Sequence, residues 1–230
     1  MSGTKQTGYS KQLIFCLVPR GRGVNEENAT AYNNATALNV KRHLAGDRSK
    51  SEVIGLSAVG KSNIGNHKHK IDDNTRVYFV GHGTPESTEL GGLNAQDLAD
   101  TIKTLVAGDP PKRIKRLGLV GCYTGGTNSN AATPPPHCLA SVVFDKVKNW
   151  VDEVTGYAGE AAANWRVGEA AENTATVRRF AFNAAGGIAF DEPGKASQEE
   201  VEVTHGTGRK TRTRKVIVNH TGRTWAPDKD

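Results

Sequence analysis

The sequence contains little cysteine and no long apolar stretch. Three of its 230 residues are cysteine (Cys16, Cys122 and Cys138), and no two of them form a Cys-x-x-Cys pair. Three cysteines cannot build a closed disulfide framework, so we expect reduced thiols in a cytosol-like compartment. No apolar run approaches the roughly 20 residues of a membrane-spanning helix, and residues 13–18 are too short for the core of a cleaved secretion signal. We therefore expect neither membrane insertion nor a cleaved signal.

The composition is rich in turn-forming residues and basic. Hydrophobic residues make up 36% of the chain, and 26 glycines and 9 prolines indicate many turns and loops. The chain has 30 Lys and Arg residues against 24 Asp and Glu, a net charge of +6 that favours an anionic partner such as nucleic acid, phosphoinositide-like headgroups or a polyphosphate. Basic and aromatic residues do not interleave as they do in single-strand nucleic-acid sites, so we do not expect nucleic acid.

Apolar runs and helical periodicity alternate in the first two thirds of the chain. Strands are predicted over residues 12–18, 52–58, 76–80, 116–120 and 152–160, and helices over residues 25–45, 93–107 and 138–151. Asn94 is predicted to be the N-cap of the second helix, with Asp97 three residues later. The polar, basic residues 60–70 are interpreted as a loop or hairpin. Because the strands are apolar and separated by helices, the pattern predicts a parallel sheet covered on both faces.

The pattern changes after about residue 161. Short strands are predicted over residues 176–182, 188–190, 200–204 and 215–219, joined by glycine-rich turns. We therefore predict an α/β fold with a mostly parallel sheet flanked by helices and a C-terminal antiparallel β-flap. Residues 1–164 are expected to form the core and residues 165–230 the basic flap, packed together as a single structural domain.

A histidine and a cysteine each follow a predicted core strand directly, in the settings FVGHG and LVGC. Ligands bind beyond the carboxyl ends of the strands in open parallel sheets, and one crossover helix joins these two strands, so His82 and Cys122 are expected at one sheet edge. A thiol and an imidazole there supply a nucleophile and its base. The backbone amides of Gly83 and Cys122 are candidates for an oxyanion hole.

Other interpretations of these residues remain open. Cys122 taken alone could be a buried core thiol and His82 a loop residue. The nucleophile elbow of α/β-hydrolases fits poorly, since the positions two residues either side of Cys122 are not glycine. A zinc site built from His67, His69, His82 and Cys122 or Cys138 lacks a standard ligand spacing, so no metal is expected.

The segment RVYFVGHGTPESTELGGLNAQDLADTIKTL, followed by RLGLVGCYTGG, resembles the self-processing cysteine peptidase domain of RTX and large clostridial toxins. These domains belong to the caspase-like clan, and the resemblance covers residues 12–164. It implies a cysteine endopeptidase that cuts its own chain or a nearby polypeptide through a thioester, with His82 and Cys122 as catalytic residues. It also implies the host cytosol as the site of action if the protein is a secreted toxin or effector.

Some members of the family orient the histidine with an aspartate from the N-terminal region. This chain has no Asp before Asp47 and no Glu before Glu26. The sequence therefore predicts a dyad without a third group.

The resemblance also implies activation by inositol hexakisphosphate, which needs many converging basic side chains. Two candidate clusters are present: Arg209, Lys210, Arg212, Arg214 and Lys215 in the tail, and Lys61, Lys68 and Lys70 before the His82 strand. Strand alternation would put Lys210, Arg212 and Arg214 on one face. The alternative interpretation of both clusters is a solvated basic face or a nucleic-acid patch.

Two rival functions remain open. The first is a caspase-like protease that acts on separate proteins without polyphosphate activation. The second is a non-catalytic polyanion-binding module that keeps the same fold.

Overall fold

The protein is described here by a computed structural model. It covers residues 9–17, 31–32, 34–36, 38–39, 51–56, 58–126 and 138–158, together with the strands 176–182, 188–191, 197–205 and 212–220. Side chains are described up to residue 157, apart from those of residues 58–62. Among these residues no helix has the length and apolarity that crossing a bilayer requires.

A mixed sheet organises the fold. The strands are β1 (Lys11–Cys16), β2 (Ser51–Gly55), β3 (Thr75–Val80), β4 (Glu89–Leu90), β5 (Leu93–Asn94), β6 (Ile114–Val120), β7 (Glu153–Ala158), β8 (Thr176–Phe182), β9 (Ile188–Asp191), β10 (Ser197–His205) and β11 (Arg212–His220). The main sheet has the order β2-β1-β3-β6-β7-β8-β9. The first five strands in this order are parallel to one another, whereas β8 and β9 are added antiparallel at one edge. The predicted α/β class is confirmed.

The remaining strands form two small antiparallel pairs, β4 with β5 and β10 with β11. The antiparallel character of the C-terminal part is therefore confirmed. The predicted boundary between residues 164 and 165 lies outside the described residues, and the division into core and flap stays a prediction.

Apolar side chains cover both faces of the parallel sheet. On one face lie α1 (Ala95–Val106), α2 (Leu139–Val147) and the 3₁₀-helical segment Ala58–Lys70. There Phe15 and Phe79 stack on neighbouring strands with ring centroids 5.3 Å apart, and both are fully buried. On the other face the helical residues Ala31 and Ala35 pack against β1, β3 and β6. The crossover connections thus place helices on both faces, as predicted.

The segment between β2 and β3 differs from its prediction. Residues 60–70 were interpreted as a loop or hairpin, but Ala58–Lys70 is 3₁₀-helical. Ile64 anchors it in the core with 1% of its surface exposed. Among the described side chains of this segment, residues 63–70, Ile64 is the one buried apolar residue, and one residue gives no periodic signal that the sequence could reveal.

The start of α1 matches its prediction. The Asn94 side chain accepts hydrogen bonds from the amides of Gln96 and Asp97, each at 2.9 Å. These bonds satisfy two of the amides that a helix start leaves without an intrahelical partner. The predicted N-cap of this helix is confirmed.

A hydrogen-bonded turn at Asp72 leads into β3. The Asp72 carboxylate accepts from the Thr75 hydroxyl (2.9 Å), the Asn74 amide (3.0 Å) and the Ser10 hydroxyl. Burial opposes ionisation, but these bonds and nearby Lys11 outweigh it and lower the pKa of Asp72.

We expect Asp72→Asn to destabilise the protein at neutral pH by about 0.5–1.5 kcal/mol, because the charge-assisted bonds are lost. The carboxyl titrates below its usual value of 3.8 in the folded chain. Its contribution is therefore complete above that value and is lost as the pH falls through the folded-state pKa. Urea unfolding from pH 7 to pH 3 should show the gap between variant and wild type closing at the acid end.

A variant that removes no ionisable group supplies the control. Thr101→Val removes a hydroxyl that donates to the Asp97 carbonyl, so its gap from wild type should stay constant over the same pH range. A gap between Asp72→Asn and wild type that stays constant down to pH 3 would contradict the assignment.

Candidate active site

The register of β3 and β6 brings His82 and Cys122 to one edge of the sheet. Val80 pairs directly with Val120 across the two parallel strands, and both are buried on the same face. The ladder continues one step further, since the Gly81 amide donates to the Val120 carbonyl at 3.1 Å. His82 and Cys122 each lie two residues past this pair, with His82 exposed and Cys122 half-buried. The predicted common edge is confirmed by the backbone.

The two chain segments touch at Gly83. A Cβ atom added to this residue would lie 2.0 Å from the Cys122 carbonyl oxygen and 3.0 Å from the Cys122 nitrogen. Gly121 is equally confined, with the Leu90 side chain 2.4 Å and the Gly81 carbonyl oxygen 2.7 Å from its added Cβ. Only glycine allows these backbones to approach so closely.

We refer to residues 81–88 as the His82 loop and to residues 121–126 as the Cys122 loop. Each loop turns through one non-glycine residue with a left-handed backbone, Ser87 (φ 55°) in the first and Tyr123 (φ 57°) in the second. Such residues cost of order 1 kcal/mol each, and they persist only where surrounding contacts impose them. Both loops therefore have a conformation fixed by their neighbours.

The chemistry available at this edge is a thiol, an imidazole and backbone amides. No described residue makes a hydrogen bond or ion pair with the His82 ring, and none accepts a hydrogen bond from the Gly83 amide. The His82 ring is exposed and can therefore interact with a bound molecule. A thiol beside an imidazole and a backbone donor is the set that acyl transfer through a thioester requires.

The three cysteines form no disulfide with one another. Among the residues that the structure covers, no three His, Cys, Asp or Glu side chains cluster as metal ligands would. His67, considered above as a ligand, packs edge-on against Phe15 with 5.8 Å between ring centroids. Burial, followed by the charge of Lys70, lowers the pKa of His67. This histidine belongs to the core contacts of the 3₁₀-helical segment.

The first predicted basic cluster lies on the 3₁₀-helical segment. Lys68 is exposed. Lys70 contacts both carboxylate oxygens of Glu52 on edge strand β2, each at 2.7 Å. Its charge is therefore already compensated. The side chain of Lys61 lies outside the described part.

The second predicted basic cluster falls mostly on β11. Arg212 and Arg214 occupy alternate positions of this strand, and Lys215 is paired in register with Glu202. Arg209 and Lys210 lie outside the described residues. The predicted common face of Lys210 with Arg212 and Arg214 stays a prediction.

The structure contains a further basic pair that the sequence pattern did not indicate. Arg76 and Arg116 are paired in register near the amino ends of β3 and β6. Their guanidinium carbons lie 4.9 Å and 5.6 Å from the ring centre of Tyr9. Arg76 donates to the Gln12 side chain, and Arg116 forms an ion pair with Glu153. The available signal was an arginine at the same distance before His82 and before Cys122.

We expect Gly83→Ala to destabilise the protein by about 1–3 kcal/mol, because the new methyl group overlaps the Cys122 carbonyl and the two loops must separate. Gly65→Ala is a matched control, since its added Cβ meets its nearest neighbour at an ordinary 3.5 Å. Urea denaturation of both variants measures the difference. Equal stability of Gly83→Ala and Gly65→Ala would show that the loops are not in this contact.

The comparison with protein families agrees with this geometry. The model of the Peptidase C80 family matches residues 24–166, more than half of the 230-residue chain. The matched range contains both loops, the two strands that precede them, and helices α1 and α2. No curated protein matches the chain at a significant level. The matched family is that of the cysteine peptidase domains of RTX and large clostridial toxins, which are hydrolases. On this match, the chain belongs to the Peptidase C80 family.

Proposed function

We propose that the chain is a cysteine endopeptidase with His82 and Cys122 as its catalytic dyad, and that it cleaves its own chain when inositol hexakisphosphate binds. The observation that supports the dyad most strongly is the backbone contact between Gly83 and Cys122. In a cysteine peptidase, a half-buried thiol beside an exposed imidazole at the carboxyl edge of a parallel sheet is the natural nucleophile.

The reaction proceeds in two halves. The Cys122 sulfur attacks the carbonyl carbon of the scissile amide, and the thiol proton passes to the His82 imidazole. The amides of Gly83 and Cys122 donate hydrogen bonds to the resulting oxyanion, where losing one donor typically costs about 10²–10³ in rate. When the C–N bond breaks, the leaving amine takes the proton from His82 and a thioester remains. Water then attacks the thioester with His82 as the base, which releases the acid and restores the thiol.

The proposed dyad contains no carboxylate. Among the described residues, no Asp or Glu side chain bonds to the His82 ring. The backbone contact at Gly83 and the fixed conformation of the His82 loop orient the imidazole instead.

The proposed activator site includes the flap and the sheet. Arg76 bonds to the uncharged Gln12 side chain, and its guanidinium group suits the bidentate recognition of phosphate. The basic residues of β11 and those just before it in the sequence would complete the site: Arg209, Lys210, Arg212, Arg214 and Lys215. Polyanion binding would shift the population toward a state in which the His82 and Cys122 loops are aligned. Thiols without disulfides fit action in a reducing compartment such as a host cytosol.

We expect a thiol-reactive peptide probe to label Cys122, and His82→Ala to slow this labelling about 10²–10⁴-fold, since the base that activates the thiol is removed. Peptide mapping by mass spectrometry identifies the labelled cysteine. His69→Ala serves as the control, because His69 is exposed on the 3₁₀-helical segment.

Cys16 and Cys138 are 1% and 2% exposed, so selective labelling of Cys122 alone would reflect only access. The His82 dependence is therefore the decisive readout. Equal labelling of all three cysteines, or no effect of His82→Ala, would favour the non-catalytic polyanion-binding module.

We expect intact-mass spectrometry to show cleavage of the wild-type chain when inositol hexakisphosphate is added, and no cleavage of Cys122→Ala. Replacing Arg76 with Gln should raise the activator concentration for half-maximal cleavage about tenfold or more, because each charge-assisted contact is worth about 1.5–3 kcal/mol. The same is expected when Gln replaces all five of Arg209, Lys210, Arg212, Arg214 and Lys215.

Lys103→Gln is the control for a lost charge, since Lys103 lies on α1 against Trp150. Cleavage that is equal at every activator concentration would favour a protease without polyphosphate activation. Activity on an added polypeptide without cleavage of its own chain would favour a protease that acts on separate proteins.

A further inference from the structure

The N-terminal end of α2 lacks a local cap. The first amides of a helix have no intrahelical carbonyl partner and must bond elsewhere. Cys138 occupies the N-cap position of α2, and its side chain makes no capping hydrogen bond. α1 differs in this respect, because its own N-cap Asn94 accepts from two amides.

The His82 loop provides the first replacement cap. The Ser87 hydroxyl oxygen accepts a buried hydrogen bond from the Leu139 amide at 3.0 Å, across 52 positions of sequence. Ser87 is 7% exposed, and its left-handed backbone would suit glycine better. Glycine has no hydroxyl, so the bond to α2 is what serine supplies at this position.

The Cys122 loop provides the second replacement cap. The next amide of the helix, that of Ala140, donates to the Thr124 carbonyl oxygen at 2.8 Å. The fully buried Thr124 hydroxyl lies 2.8 Å from the Leu119 carbonyl oxygen and 3.1 Å from that of Gly121, and it accepts from the Tyr157 amide at 3.0 Å. Thr124 thus ties the Cys122 loop to β6, β7 and α2 together.

We propose that Ser87 and Thr124 are positioning residues of the peptidase site. The Ser87 hydroxyl holds the His82 loop to the first amide of α2. The Thr124 carbonyl accepts from the second amide, and the Thr124 hydroxyl, which Thr124→Val removes, fixes the Cys122 loop to β6 and β7. The hydrogen bonds of both hydroxyls described above go to backbone groups, so each acts through the loop that carries His82 or Cys122. This inference rests on the proposed function of His82 and Cys122 as a catalytic dyad.

The test is a double-mutant cycle that follows alkylation of Cys122 by iodoacetamide, with and without inositol hexakisphosphate. We expect Ser87→Ala and Thr124→Val each to slow alkylation about tenfold in the wild-type background, which corresponds to the loss of about one net hydrogen bond. In the His82→Ala background the same changes should have no effect, because the imidazole that Ser87 and Thr124 would align with the Cys122 thiol is already absent.

Two conservative variants separate positioning from stability. Thr124→Ser keeps the hydroxyl and should react at the wild-type rate. Ser87→Gly relieves the left-handed backbone, so it should be at least as stable as Ser87→Ala yet equally slow. If Thr124→Val fails to fold, the Ser87 variants decide the question.

Two matched controls lie away from the loops. Thr101→Val removes a largely buried hydroxyl that donates to the Asp97 carbonyl within α1, and Ser51→Ala removes a hydroxyl that accepts from Gln12. Both should lower stability without changing the alkylation rate of Cys122. Circular dichroism verifies that each variant is folded under the assay conditions.

The outcomes distinguish this inference from the function on which it rests. If His82→Ala slows alkylation but folded Ser87→Ala and Thr124→Val react like wild type, or slow both backgrounds equally, only the positioning role is overturned. If His82→Ala itself has no effect, the dyad fails and the positioning role fails with it.

Discussion

The close approach of two backbones beyond the last paired residues of β3 and β6 is the constraint on which the site depends. Parallel pairing of Val80 with Val120 fixes the register of β3 and β6, so both strands end at the same level of the sheet. Glycine at positions 83 and 121 lets the chain segments that follow come into contact. Any side chain at position 83 would overlap the Cys122 carbonyl. His82 and Cys122 are therefore neighbours because of the sheet register and the missing Cβ atoms, whereas no direct bond between their side chains is needed.

The sequence was sufficient for features encoded locally. His82 and Cys122 follow apolar runs with glycine neighbours, so their common edge could be predicted, and Asn94 was recognisable as an N-cap from its own neighbours. The sequence was insufficient where distant residues decide. Three contacts depend on which distant segments the fold brings together. They are the ion pair of Lys70 with Glu52, the pairing of Arg76 with Arg116, and the hydrogen bond from Leu139 to Ser87. The 3₁₀-helical segment could not be predicted, because Ile64 is the one buried apolar residue among its described side chains and one residue shows no helical period.

The two helices on the same sheet face begin in different ways, and this difference connects the site to the core. α1 satisfies its first amides with its own Asn94, so its start is independent of the loops. The first two amides of α2 bond to Ser87 and Thr124 instead. The loops and the helix end consequently depend on each other, and a change that moves α2 would displace the loops that carry His82 and Cys122.

The dyad itself can be tested most directly by cross-linking with 1,3-dibromoacetone. This reagent alkylates a thiol first, and its second bromide can then be displaced only by a nucleophile within the reach of three carbon atoms. With the wild-type chain, in the presence of inositol hexakisphosphate, peptide mapping should recover one intramolecular link between Cys122 and His82. A link from Cys122 to any other residue, or complete alkylation of Cys122 with His82 unmodified, would contradict the assignment.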